Sequence, residues 1–322
     1  MGFASRREVL ETVEEIDVGR LAAGGSAFIA GTGARFRTLL RSRAEELGLD
    51  PGTLGAADLP ALRMPAPALG QTALLAAHAT RLEAVGLDPV AGGRIAIDVE
   101  PRAGKAERSF CTPLAVPGDV RVVVGCDERG RAELGALLHE SGHAQHRAGT
   151  DAALDASARL LGDSSVTESY AFLLERLAEP RGDELRELML ARRYGALLVY
   201  ELEFEGGWGR ESEIRARARF AGLMSEACGV EVSGARALRE PDPGLYAVRY
   251  LRGWMLAALW RRDLEERFGA GWTATPAVEG RLRALWAEGQ RRDADALAIE
   301  EAGAERLGFE ALGYRVAEVA PG

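Results

Sequence analysis

The eight residues His139-Glu140-Ser141-Gly142-His143-Ala144-Gln145-His146 decide how this chain is read. His139 and His143 are four apart, so on a helix they share a face and can reach one metal ion. Zinc takes neutral imidazole nitrogens at about 2.0–2.1 Å, and one helical turn supplies two of them. Glu140 stands beside that stripe rather than on it, where it can hold a water at the metal instead of ligating. Leu134, Leu137, Leu138 and Ser141 form the opposite, packed face. Three of the four histidines lie in this segment. His78, on an Ala-rich helix, is given no role.

A catalytic zinc needs a third protein ligand and an open position. Glu168, in Ser164-Ser165-Val166-Thr167-Glu168-Ser169-Tyr170-Ala171, is the best candidate. It opens the next strong helix, which the intervening loop allows to fold back on the motif helix. The bland alternative is an acidic group favoured by a helix N-terminus.

Upstream of the motif the pattern predicts three short strands. Residues 94–99 alternate, 108–114 run up to a stop at Pro113, and 120–124 are continuous and β-branched. Helices are expected over 6–23, 33–48 and 71–86. An irregular stretch with Pro51, Pro60, Pro65 and Pro67 fills 49–70. After the strands, helices are expected over 131–148, 152–161, 165–178, 183–205, 210–227, 244–268 and 277–305. The breaks fall at glycines and prolines, among them Gly24-Gly25, Gly31-Thr32-Gly33, Pro180, Gly206-Gly207, Pro241 and Pro243. The expected fold class is mainly α with a small β-sheet. Residues 1–90 are expected to form an N-terminal helical segment, either separate from or part of the same domain as the catalytic region expected over 91–322.

Composition agrees with a soluble globular chain: 322 residues, 47% apolar and 28% charged. The net charge of −9 argues against a nucleic-acid partner, which needs a basic footprint. No apolar run is long enough to span a membrane. The N-terminus has no apolar leader region, and the three cysteines (Cys111, Cys126 and Cys228) fit no disulfide framework. A cytoplasmic location with buried free thiols is the expectation. The basic residues are arginines apart from Lys105, a compositional bias that leaves most of them without an assigned role.

The motif and the residues around it resemble the thimet oligopeptidase and oligoendopeptidase F family of zinc metallopeptidases. The likeness rests on His-Glu-x-Gly-His-x-x-His, then Glu168 with Glu175 seven residues on. It extends upstream to Asp98-Val99-Glu100-Pro101-Arg102-Ala103-Gly104-Lys105 and Ser109-Phe110-Cys111, and downstream to Gly244-Leu245-Tyr246-Ala247-Val248-Arg249-Tyr250. It covers about residues 94–260. The resemblance implies a zincin-like (gluzincin) fold and one Zn2+ held by His139, His143 and Glu168. Glu140 would be the general base, with Tyr250 and Tyr246 as oxyanion donors; an aromatic core stripe is the alternative for the tyrosines. Glu175 either orients a histidine ligand or is a structural carboxylate. His146 is read as a supporting or structural residue, not a fourth ligand.

The implied activity is hydrolysis of internal bonds in short peptides, with an extended substrate held along the sheet edge at 108–124. Two departures bear on it. Pro241 and Gly253 stand where the family often has a histidine and a further tyrosine. Only about 90 residues precede the first strand, so a shorter or more open channel is expected. One rival is a Taq-type metallocarboxypeptidase, whose similar zinc motif would need a cation for the substrate's free carboxylate; Arg249 or Arg252 could serve. The other is a non-catalytic, zinc-bound peptide-binding module.

Overall fold

The computed structural model describes residues 2–63, 68–179, 183–205, 210–242 and 244–314. The sequence features at Pro65, Pro67, Pro180, Gly206-Gly207 and Pro243 lie outside them. The described residues are mostly helical, with two small sheets. Among the described residues no helix is long and apolar enough to cross a membrane.

The β-branched run predicted as a strand is the centre of a three-stranded sheet. Asp119–Val123 pairs in parallel with Ile95–Asp98 and antiparallel with Phe110–Ala115. Val120 and Val122 are fully buried, which is why this strand reads as continuous apolar sequence. The edge expected at 108–124 is therefore corrected. Asp119–Val123 is bonded on both sides, and the strand free on one side in that region is Phe110–Ala115 alone. Pro113 does not stop that strand, because an edge position tolerates a residue with no N–H to donate.

The turn after Ile95–Asp98 is closed by the chain's one lysine. Lys105 Nζ donates to Asp98 O at 2.9 Å, Asp98 Oδ1 at 3.0 Å and Glu100 O at 3.0 Å. Arg102 and Lys105 together hold the Asp98 carboxyl well below the usual carboxylate range. Gly104, at φ +78, supplies the left-handed residue of the turn.

Backbone contacts divide the chain into two compact units. One comprises Met1–Pro65, Asp183–Arg252 and Gly308–Gly322; the other Ala66–Gly182 and Gly253–Leu307. These cuts differ from the 90/91 boundary read in the sequence.

In the first unit, helix Val18–Glu46 packs on helix Glu184–Glu203, which also packs on helix Arg210–Cys228. The sequence predicts a break at Gly24-Gly25 and Gly31-Thr32-Gly33, yet the helix runs straight through. Gly25 and Gly195 sit back to back, and a Cβ on Gly25 would lie 3.2 Å from the Gly195 Cα. The close contact of the two helices outweighs the propensity cost of glycine, about 1 kcal/mol per residue. Arg192 is buried between the three helices and donates to Ala227 O and Glu226 O, both at 2.9 Å, and to Thr32 Oγ1 at 2.8 Å.

In the second unit, the motif helix Leu134–Gly149 packs against the sheet and, more extensively, against helix Ser164–Glu175. Helices Gln71–Ala84, Val278–Ala287 and Ala294–Glu300 belong to this unit as well. Two further expectations change here. Arg131–Ala132 is not helical but pairs antiparallel with Leu69–Gly70. The single helix expected over 277–305 is two, because Gly289 turns at φ +59 and Asp293 caps a new start at Ala294.

Candidate metal centre

The motif helix presents its two ligand histidines four residues apart, as helical geometry requires. Glu168 comes from helix Ser164–Glu175, whose start is set by Asp163. That carboxylate accepts from Ser165 N at 2.9 Å and also from Ala294 N at 3.1 Å, so it caps two helices at once. The two helices come together through Gly142 of the motif. A Cβ there would fall 2.4 Å from both the Ala171 Cα and the Tyr170 carbonyl oxygen. From the other side, a Cβ at Gly253 would lie 2.7 Å from the Glu168 Cβ. Gly253 thus leaves room for Glu168 to pack against this helix.

His139, His143 and Glu168 form the cluster with metal-ligand geometry found among the described residues. Their ligating atoms all lie within 4.8 Å of one another. Glu168 Oε2 is 3.6 Å from His139 Nε2 and 3.7 Å from His143 Nε2. Those separations are long for hydrogen bonds. They are close to the roughly 3.4 Å between ligand atoms around one tetrahedral zinc with bonds near 2.1 Å. The other nitrogen of each ring is already engaged: His139 Nδ1 lies 3.1 Å from Glu175 Oε2, and His143 Nδ1 lies 2.9 Å from Thr167 Oγ1. Each histidine thereby keeps Nε2 for the cluster, the arrangement seen when outer partners fix a ligand's tautomer. Two imidazoles and a buried carboxylate are a donor set that fits zinc.

The electrostatics agree with a site built to receive a cation. Burial lowers the His139 imidazolium, but the carboxylates of Glu168 and Glu175 outweigh it and hold the group up at about 10. His143 is lowered by burial to about 4. Glu140 is half-buried beside the cluster. Burial raises its carboxyl, while His139, Arg108 and the Cys111 backbone N–H, which hydrogen-bonds it, pull the other way.

Removing the outer carboxylate gives the first prediction. Glu175→Gln leaves a hydrogen-bonding side chain but no negative charge on His139. Metal affinity falls by about 10–100-fold, measured by competition with a chelator; unchanged affinity contradicts the assignment.

The remaining histidines are structural in their contacts. His146 is fully buried, its Nε2 lies 3.1 Å from Gly289 O, and its ring lies 4.9 Å from Tyr170. It is outside the cluster. His78 Nε2 lies 2.7 Å from Ser141 Oγ, which itself donates to Leu137 O, so the histidine is the donor. Ser141 thus lies on the packed face, as expected.

Burial lowers His78 to about 4 and His146 to about 3. Both are neutral in the fold yet take protons near 6.5 when unfolded. The stability tied to them is complete above 6.5 and is lost as pH falls towards their folded values. Buried His143 adds to this in the metal-free protein. Glu201, pushed up to about 8 by burial, opposes it by one proton. The metal-free protein is expected to lose about 2 kcal/mol between pH 6.5 and 5, measured by urea unfolding. A gain over that interval contradicts the reading.

Tyr246 and Tyr250 lie in the first unit, at the entry to helix Ala247–Phe268. Tyr250 is buried, with its ring 4.9 Å from both Tyr194 and Tyr246 in edge-on contacts. Arg249 of the same segment is ion-paired with Glu14, and Arg252 is buried. Of the cysteines only Cys228 is buried; Cys111 and Cys126 are half-buried, which corrects the expectation.

Sequence reasoning missed several contributors. Thr167 was legible as the neighbour of Glu168. Phe172, whose ring lies 5.0 Å from His139 and is stacked on Trp254 at 4.6 Å, carries no signal apart from helical spacing. The amide of Cys111 is invisible in any side-chain motif.

No family model matches this sequence, and no curated protein matches it. Solved structures do share its fold. An M32 carboxypeptidase from Deinococcus radiodurans R1 aligns over 88% of this chain and 64% of its own, with TM-score 0.57 and 17% identity. Metallocarboxypeptidase 1 of Trypanosoma cruzi aligns over 95% and 67%, with TM-score 0.60 and 15% identity. A protein called CHT aligns over 87% and 63%, with TM-score 0.53 and 16% identity. The chain spans less than two thirds of the length of the CHT and Deinococcus proteins. The chain therefore shares its mostly helical fold with solved metallocarboxypeptidases.

Proposed function

We propose that this chain is a zinc-dependent peptidase that removes residues from the C-terminus of short peptides. The observation that carries the reading is the His139, His143 and Glu168 cluster with Glu140 beside it, in a chain that shares its fold with metallocarboxypeptidases. The fold likeness favours a carboxypeptidase over the endopeptidase of the sequence resemblance.

His139, His143 and Glu168 would hold one Zn2+. When bound, zinc supplies Lewis acidity, polarising a carbonyl and bringing the pKa of water to about 7. Glu175 and Thr167 keep the two rings in orientation. Glu140 accepts a proton from the attacking water at its carboxylate and delivers it to the leaving amine. Its raised pKa suits both halves of that transfer. Among the described residues Phe110–Ala115 has a neighbouring strand on one side only, so its other edge is where an extended peptide could add. Tyr250 and Tyr246 are proposed as oxyanion donors on the sequence resemblance alone.

The test is a product time course on free-acid peptides with the metal-loaded protein. Stepwise loss of single C-terminal residues supports the proposal. Internal fragments return the endopeptidase, and metal retention with no products at all returns the binding module.

A further inference from the structure

The first unit holds a cavity of about 580 Å³ built without any residue of the metal cluster. Helix Val18–Glu46 contributes Phe36 and Arg37 to its lining, and helix Glu184–Glu203 contributes Arg192. The turn 51–54 forms a second wall. The end of helix Arg210–Cys228 and the residues after it form a third, with Ser225, Glu226 and Glu231. The volume lies within the range of small-molecule sites, about 300–1,000 Å³.

Four charged side chains line this cavity, Arg37 and Arg192 of one sign, Glu226 and Glu231 of the other. Among the described residues none of the four is in an ion pair. Opposite charges elsewhere on the same helix do meet: Arg35 binds Glu184, and Arg43 binds Asp183. Here the cavity keeps the two signs apart.

Arg192 is almost wholly buried, and its hydrogen-bond partners are all uncharged. They are the carbonyls of Ala227, Glu226 and Ile29 and the hydroxyl of Thr32. Those bonds use four of the five N–H groups of a guanidinium, so one is left over. A buried charge without a counter-ion is costly. The two carbonyls at the helix C-terminus offset only part of that cost. Arg37 and both glutamates are exposed, so their charges are open to a ligand arriving from water.

The walls are fixed in place. Gly52 donates its N–H to Asp50 Oδ1 at 2.9 Å, and Thr53 donates its own to Asp50 O at 3.1 Å. Ala56 N donates to Glu231 O at 3.2 Å, which ties the turn segment to the residues after the helix. Val232 N donates to Ser225 Oγ at 2.9 Å. Gly229, at φ +68, passes so close to Phe36 that a Cβ there would lie 3.0 Å from its Cε1. The cavity is thus preformed.

A plain anion entering it would meet two carboxylates, and a plain cation two guanidiniums. A molecule with both charges answers both pairs. We infer that this cavity binds a small zwitterion, an α-amino acid or a short peptide with both ends free. Its carboxylate would lie on the Arg37 and Arg192 side and its ammonium on the Glu226 and Glu231 side. Each end gains a charge-assisted contact.

The test uses the zinc-loaded Glu140→Gln protein, in which turnover is suppressed. It is titrated calorimetrically with L-alanine, trialanine, N-acetyl-L-alanine and L-alaninamide. The zwitterions bind about 10- to 100-fold more tightly than the two singly charged forms, as one lost charge-assisted contact dictates. Arg37→Gln narrows the gap between alanine and alaninamide. Glu226→Gln combined with Glu231→Gln narrows the gap between alanine and its N-acetyl form. Circular dichroism and metal content stay unchanged, because the three substituted residues are exposed. Tighter binding of alanine than of trialanine identifies a free amino acid as the ligand, and the reverse a short peptide. The inference is overturned if neither zwitterion binds saturably at millimolar concentration, or if the blocked forms bind as well. It is overturned too if affinity is the same in all these variants, which is the result for binding at the metal centre. Failure of the peptidase reading shows separately, as absence of cleavage by the protein with Glu140 intact, and leaves these results unchanged.

Discussion

Glu140→Gln lowers peptide turnover by about 100- to 10,000-fold, the range a general base contributes, and leaves the bound metal in place. The substitution keeps the size of the side chain and its hydrogen bond from the Cys111 amide, and removes only the basicity. Glu140 is not one of the three residues whose ligating atoms converge, so the metal stays. The residue is half-buried, and its carboxyl is raised by that burial. A raised carboxylate is the stronger base at neutral pH, which is why the loss is expected in kcat. Steady-state assays with metal analysis of the same preparation check it. A variant that keeps more than a tenth of wild-type turnover removes Glu140 from the reaction.

The second large effect comes from a residue with no chemistry. Gly142→Ala adds one methyl group where the backbone of the partner helix already stands, 2.4 Å from the Ala171 Cα and the Tyr170 oxygen. Flexible side chains could yield to a methyl; a helix backbone cannot. The two helices must separate, and Glu168 moves with its helix away from His139 and His143. The expected cost is on the order of 3 kcal/mol in stability, at the upper end for overpacking, and a metal affinity at least tenfold lower. Thermal unfolding with and without zinc separates the two. A variant with wild-type melting temperature and metal content shows that the helices do not need this contact. Ser141→Ala is a useful comparison, because Ser141 bonds His78 and the Leu137 carbonyl on the packed side of the helix and is not one of the three converging residues.

The two effects show what could be read from the sequence. His139, His143 and Glu140 were legible because helical spacing alone fixes which side chains share a face. Glu168 was legible because it opens the next helix. The strands were legible because β-branched runs are rare in this Leu- and Ala-rich chain. Glycines were misread wherever their role is contact rather than flexibility. Gly25 looks like a helix break and is a helix–helix contact against Gly195. Gly289 looks tolerable in a long helix and ends it at φ +59. Which strand lies at the edge depends on pairing across 108–124, and no local pattern records that. The choice between endopeptidase and carboxypeptidase was not legible either. It depends on what stands one residue beyond the scissile bond, and this arginine-rich chain offers too many candidate cations for its sequence to single one out.

The account depends most directly on one metal ion at three named atoms. A crystal structure of the zinc-loaded protein, with anomalous data on both sides of the zinc edge, measures that. The expected result is a single strong peak about 2.0–2.2 Å from His139 Nε2, His143 Nε2 and a Glu168 carboxylate oxygen, with Glu140 outside the coordination sphere. A peak elsewhere, or none at these three residues in protein shown to bind zinc, would contradict the account.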